Sequence, residues 1–317
     1  MLKKNLKITI TSLMVIIIPF LLLMIINELP LPEGIQNHVQ EKKEFYSIDF
    51  SSSKNIFLLG SSQIGSLNVT KINNQIPPDF TVYNLAEIGT IPVDRIYEMD
   101  NIISINPEIV FYGISYRDFE FTNNLTIEYP LPDPEKIISS SIRENFGNII
   151  PENPQLISRT FLKNMFNFET QSDSQTTSYT TIPKTPFYRY LLDQKIKTDE
   201  QLRTEYAQLF TIKNAESNNI KALYTIVHQL DKAGIKIVIF TPPLHEYYLD
   251  SISDIKKQKF SKLLENLSNK YNISIYKFEE RYHGLNIWSD ISHISYVEGV
   301  DEFNDDVVEM INLEIEK

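Results

Sequence analysis

Two short stretches at opposite ends of a 317-residue chain carry the residue types of nucleophilic catalysis. Asn55-Ile56-Phe57-Leu58-Leu59 is a compact apolar run that stops at Gly60-Ser61-Ser62. The run predicts a buried strand, and the Gly-Ser-Ser a tight turn into a helix starting near Gln63. In an open α/β sheet, ligands gather at the carboxyl ends of the strands, where a helix N-terminus adds N–H donors. Ser62 stands at such a point, as a nucleophile if the chain supplies a base and otherwise as an ordinary helix cap. Asp290-Ile291-Ser292-His293 offers the base. A carboxylate three residues before a histidine can turn back onto Nδ1–H and leave Nε2 to take the serine proton. Alone, that spacing also fits a capped turn beside a half-buried histidine. Together, the two stretches favour a triad of Ser62, His293 and Asp290.

The elements between them must bring these residues together. After a modest helix that Pro77-Pro78 stops, a second strand is expected at Phe80 to Leu85, a loop at Glu87 to Thr90, and an amphipathic helix over Val93 to Ile105. Pro107 to Gly113 reads as a third buried strand. Regularity is lost from Phe119 to about Gln208, where the Ser/Thr/Pro-rich run 171–186 marks an insertion that suits a lid or an inert excursion equally. Alternation returns with a helix over Thr211 to Ala233 stopped by Gly234, a strand at Ile235 to Thr241, a helix over Asp250 to Tyr271, a strand at Ile273 to Phe278 and a closing helix over Tyr296 to Glu316. Short strand–helix units of this kind predict an α/β domain with a five-stranded parallel sheet.

Ile8 to Ile26 is an uncharged apolar run of roughly the ~20 residues that cross a bilayer, preceded by Lys3, Lys4 and Lys7. It predicts an uncleaved transmembrane signal anchor over residues 1–28, with a cytoplasmic N-terminus and everything beyond Asn27 outside. A cleaved signal peptide is the competing reading, but Asn27-Glu28-Leu29-Pro30 lacks a small-x-small site. Residues 29–53, with Pro30, Pro32 and Glu41-Lys42-Lys43-Glu44, read as a tether, and residues 54–317 as the α/β domain. Asn-x-Ser/Thr acceptors at Asn68, Asn124, Asn266 and Asn272 fit an extracytoplasmic domain weakly. A net charge of −11 argues against nucleic acid as a partner. There is no cysteine, and the five histidines have no ligand spacing with carboxylates, so no metal site and no cofactor is expected.

With these residues in view, the chain resembles the SGNH (GDSL-type) hydrolase family from about Asn55 to Ile311. The resemblance implies a three-layer, flavodoxin-like α/β/α domain. Gly60-Ser61-Ser62 is similar to the first block, which implies that Ser62 is the nucleophile. Asn84-Leu85-Ala86-Glu87-Ile88-Gly89 is similar to the second block, Asn-x-Gly-x-x-Gly, with Ala86 where the family has an oxyanion-hole glycine. Pro107 to Asp118 is similar to the third block, but Ser115-Tyr116-Arg117-Asp118 puts Arg117 where the family has an oxyanion-donating asparagine. Asp290 to His293 is similar to the last block, and Thr241-Pro242-Pro243 to a turn after the fourth strand. The resemblance thus implies an oxyanion hole from Ser62, Ala86 and Arg117, with Asn84, Gly89, Ser115, Asp118 and His245 as pocket candidates. For His245 and Glu246 surface decoration is the plainer account.

Three functions follow as expectations. The first is a serine esterase acting on acyl esters, O-acetyl groups of envelope glycans among them. The second uses the same triad as an O-acyltransferase for envelope polysaccharides, working beside a multi-span membrane acyltransferase. The third is a catalytically silent, membrane-tethered glycan-binding domain, which the residues at Ala86 and Arg117 recommend.

Overall fold

The computed structural model describes residues 42–87, 89–119, 195–206, 216–295 and 301–317. The chain divides into two units, Met1–Ser47 and Ile48–Lys317. Of the first, residues 42–46 form a helical turn. The expected anchor at Ile8 to Ile26 and most of the tether and insertion lie outside the described residues. Among the described residues, no helix is long and apolar enough to cross a membrane.

The second unit is an α/β domain on a five-stranded parallel sheet. Its strands are β1 (Lys54–Leu59), β2 (Phe80–Asn84), β3 (Ile109–Gly113), β4 (Lys236–Thr241) and β5 (Ser274–Lys277), in the order β2-β1-β3-β4-β5. β1 to β4 are buried almost throughout, as parallel strands covered on both faces must be. That is why they read as continuous apolar runs. The helices are α1 (Val69–Asn73), α2 (Pro92–Arg95), α3 (Met99–Ile105), α4 (Asp199–Tyr206), α5 (Glu216–Lys232), α6 (Glu246–Ser251), α7 (Asp254–Tyr271) and α8 (Glu302–Ile315). α1 packs against α8, while α2, α3 and α7 associate with α5. Ile56, Leu58, Phe111, Val238 and Phe240 of the sheet share one apolar cluster with Ile72 of α1 and Phe303, Val307 and Ile311 of α8.

Several expected boundaries shift. The modest helix expected from near Gln63 does not start there. Ser62–Ile64 is a single 3-10 turn, and α1 starts afresh at Val69, where the Asn68 side chain accepts the Lys71 N–H. The expected helix over Val93 to Ile105 is broken by a 3-10 turn at Ile96–Glu98. That over Asp250 to Tyr271 is two helices, parted at Ile252 and Ser253. The domain begins before residue 54: Phe50 packs edge-on against Phe57 and Tyr83, and its carbonyl accepts from Asn55 Nδ2. At the far end of the expected insertion, α4 buries Leu202 in the main core.

The carboxyl ends of β1 and β3 approach too closely for side chains. A Cβ on Gly60 would stand 2.8 Å from the Gly113 carbonyl oxygen, and one on Gly113 2.7 Å from Ile64 Cγ2. Glycine at both points lets the Ser62 turn settle onto the sheet.

Candidate active site

The site assembles at the carboxyl ends of β1, β2 and β3 and a two-stranded hairpin. β6 (Trp288–Asp290) and β7 (His293–Ile294) pair antiparallel, with Asp290 opposite His293. Facing residues of an antiparallel pair project to one side with their Cβ atoms about 5 Å apart. A two-residue turn therefore converts the Asp-x-x-His spacing into a side-chain contact. The hairpin is held from outside by the His245 N–H on the Ile291 carbonyl (3.2 Å) and the Lys197 N–H on the Trp288 carbonyl (2.8 Å). Gln63 Nε2 reaches the Ser292 carbonyl at 3.4 Å, tying the hairpin to the serine turn.

Ser62 Oγ lies 2.8 Å from His293 Nε2, and His293 Nδ1 lies 2.7 Å from Asp290 Oδ2 and 2.8 Å from Oδ1. Burial alone would raise the Asp290 pKa. The hydrogen bond and charge of His293, with two bonds from Ser292, overcome it and hold the carboxyl at about 2. An ionised carboxylate only accepts, so Nδ1 carries the ring proton. In the neutral imidazole Nε2 is then the acceptor for the Ser62 hydroxyl, which is the arrangement for general-base activation.

The Gly60 carbonyl, two residues before the serine, is gripped by the Glu87 N–H at 3.1 Å and by Arg95 Nη2 at 3.0 Å. Arg95 is fully buried, and its Nη1 pairs with Glu98 at 2.5 Å. Nothing in the sequence marks this residue, because a charged position on an amphipathic helix reads as solvent-facing. Arg95→Met is expected to destabilise the domain by about 3–5 kcal/mol, since it strands a largely buried carboxylate. Urea unfolding of the full chain measures that loss.

The other expected residues have definite places. Asn84 Nδ2 donates to the Ile64 carbonyl (3.0 Å) and its Oδ1 accepts the Ala86 N–H (2.9 Å), so Asn84 braces two loops of the site. The Ala86 N–H expected for the oxyanion hole is therefore engaged by this short local bond. Gly89 sits in an exposed turn with φ +70°. Ser115 and Asp118 are buried and cap one 3-10 turn: Asp118 accepts the Ser115 N–H (2.6 Å) and Ser115 Oγ the Arg117 N–H (3.2 Å). Burial pushes the Asp118 carboxyl up to about 7, against the Ser115 N–H and the Arg117 charge. His245 is buried, which corrects the surface reading. Its Nδ1 accepts the Tyr247 N–H at the start of α6, its ring stands edge-on to Trp288, and burial drives its pKa down.

Arg117 differs most from expectation. Its Nη1 donates to Ser292 Oγ at 2.8 Å, and Ser292 Oγ lies 2.9 Å from Asp290 Oδ1 and 3.1 Å from His293 Nδ1. With its proton on Asp290, the Ser292 hydroxyl joins the guanidinium to the carboxylate that holds His293. Sequence spacing alone gave no sign of Ser292 in this role.

Comparison with known proteins adds a distant likeness. No family model matches the chain, and no curated protein does. Among solved structures, the chain is similar to the crystal structure of an acetyl xylan esterase, AlAXEase, at 11% identity and a TM-score of 0.42, over 81% of this chain and 97% of that one.

Proposed function

We propose that the protein is a serine ester hydrolase. The observation that carries this reading is the unbroken relay from Ser62 Oγ through His293 to Asp290, with contacts of 2.8 and 2.7 Å. Ser62 attacks the ester carbonyl while Nε2 takes its proton, and the imidazolium formed is held by Asp290. The oxyanion turns toward the backbone N–H groups of Ser62 and Ala86, the latter exchanging Asn84 Oδ1 for the new charge. Collapse expels the alcohol, which receives the proton from His293. Water, activated by the same base, then cleaves the acyl-serine to the acid and free enzyme.

O-acetyl groups of envelope glycans are the substrates in this reading, and the apolar run at Ile8 to Ile26 anchors the enzyme with its site outside the cytoplasm. Transfer to a sugar hydroxyl in place of water requires no different catalytic residue. The intact relay favours either chemistry over a silent glycan-binding domain. A fluorophosphonate probe applied to the detergent-solubilised full chain is expected to label Ser62, with labelling absent in Ser62→Ala and strongly slowed in His293→Ala. A wild-type protein that takes no label defeats the proposal.

A further inference from the structure

Arg117 is a half-buried cation whose guanidinium, among the described residues, is in salt-bridge contact with no carboxylate, although its charge is felt by the neighbouring Asp118. Its backbone N–H goes to Ser115 and its Nη1 to the neutral Ser292 hydroxyl; Nε and Nη2 make no hydrogen bond among the described residues. No carboxylate among them lies within ion-pairing distance. Both nearby carboxylates are committed elsewhere: Asp118 takes the Ser115 N–H, and both Asp290 oxygens face His293 Nδ1. A guanidinium carries five N–H donors in a fixed fork that matches the oxygens of a carboxylate or phosphate. Here one prong is pinned by Ser292, and among the described residues the rest of the fork is left over. Ser292 fixes that fork beside the His293 ring, whose other nitrogen contacts Ser62 Oγ. The leaving oxygen of an ester must come to Nε2, because His293 returns the proton to it, and a charged group further along the alcohol is what would extend past the ring to the fork on its Nδ1 side.

We infer that Arg117 binds an oxyanion, phosphate or carboxylate, carried on the alcohol portion of the ester that Ser62 cleaves. The inference rests on the serine-hydrolase reading and narrows its substrate class to negatively charged esters. In a chain of net charge −11 such a substrate meets a repulsive field. A cation fixed at the reacting end is then what admits it.

The test compares kcat/KM of the full chain on butyryl esters of glycerol, glycerol 3-phosphate and glyceric acid. The wild-type protein is expected to prefer at least one charged ester over the neutral one by ~10- to 100-fold, the usual worth of a charge-assisted contact. Preference for the phosphate ester alone identifies phosphate as the source, and equal preference for both identifies any oxyanion. Arg117→Gln should bring the charged-to-neutral ratio close to one, and Arg117→Lys should retain part of it. A ratio unchanged in Arg117→Gln, or a wild-type ratio near one, overturns the inference while Ser62 labelling keeps the hydrolase reading standing. Absence of both label and turnover overturns the two together. Should Arg117→Gln fail to fold, glycerol 3-phosphate must still inhibit the wild-type protein competitively, more tightly than glycerol and less so in high salt. Equal inhibition by the two also overturns it.

Discussion

Ser62→Ala is expected to lower kcat for ester hydrolysis by about 10⁴- to 10⁶-fold, with folding intact. The hydroxyl is half-buried and projects from a turn that other atoms hold: the Gly60 carbonyl by Arg95 and Glu87, and the Ile64 carbonyl by Asn84. Losing one oxygen leaves those supports unchanged. The residual rate then measures what the backbone donors and substrate binding achieve without a nucleophile. Steady-state hydrolysis of a butyryl ester, read beside circular dichroism, checks both halves. A variant that keeps more than a tenth of the wild-type rate shows that some other group attacks.

Asp290→Asn is expected to cost about 10⁴-fold in kcat with little change in structure, because it reverses the ring tautomer. An amide placed 2.7–2.8 Å from Nδ1 can donate to it, which moves the ring proton to Nε2 and points it at Ser62 Oγ. A protonated Nε2 cannot take the serine proton. In the proposed mechanism the three residues act as a unit, so the double variant Ser62→Ala/Asp290→Asn should be scarcely worse than Ser62→Ala alone. Additive losses would mean that Asp290 serves something other than His293. Acid titration gives a separate reading. Asp290 is held down at about 2 in the folded protein, below its unfolded value of about 3.9. Its contribution to stability is therefore complete above the unfolded value and is lost as pH falls from there toward 2.

The parallel strands were legible because burial on both faces leaves little room for polar residues between Asn55 and Leu59 or Ile109 and Gly113. The meeting of Ser62, His293 and Asp290 was legible because a strand–turn serine and an Asp-x-x-His spacing each constrain geometry locally. The β6–β7 hairpin was not. Its strands are two and three residues long and include Ser289, Asp290 and His293, too short and too polar for any period to register. Arg95 was hidden for the opposite reason. Helix periodicity assigns a charged residue to water, whereas here the buried Gly60 carbonyl and Glu98 supply its partners. The engagement of the Ala86 N–H by Asn84, and of Arg117 by Ser292, depends on side-chain rotamers that no linear spacing encodes.

The hydrogen bond between Ser62 and His293 joins residues 231 positions apart, and between them pass β2, β3, β4 and β5. No portion of the sequence short of His293 can hold a working relay. Synthesis proceeds from the N-terminus, so the serine emerges long before its base. If the protein is the proposed ester hydrolase, the growing polypeptide stays inert toward esters until its last elements arrive. On the proposed reading, appearance of activity during refolding is thus a clock for completion of the whole sheet.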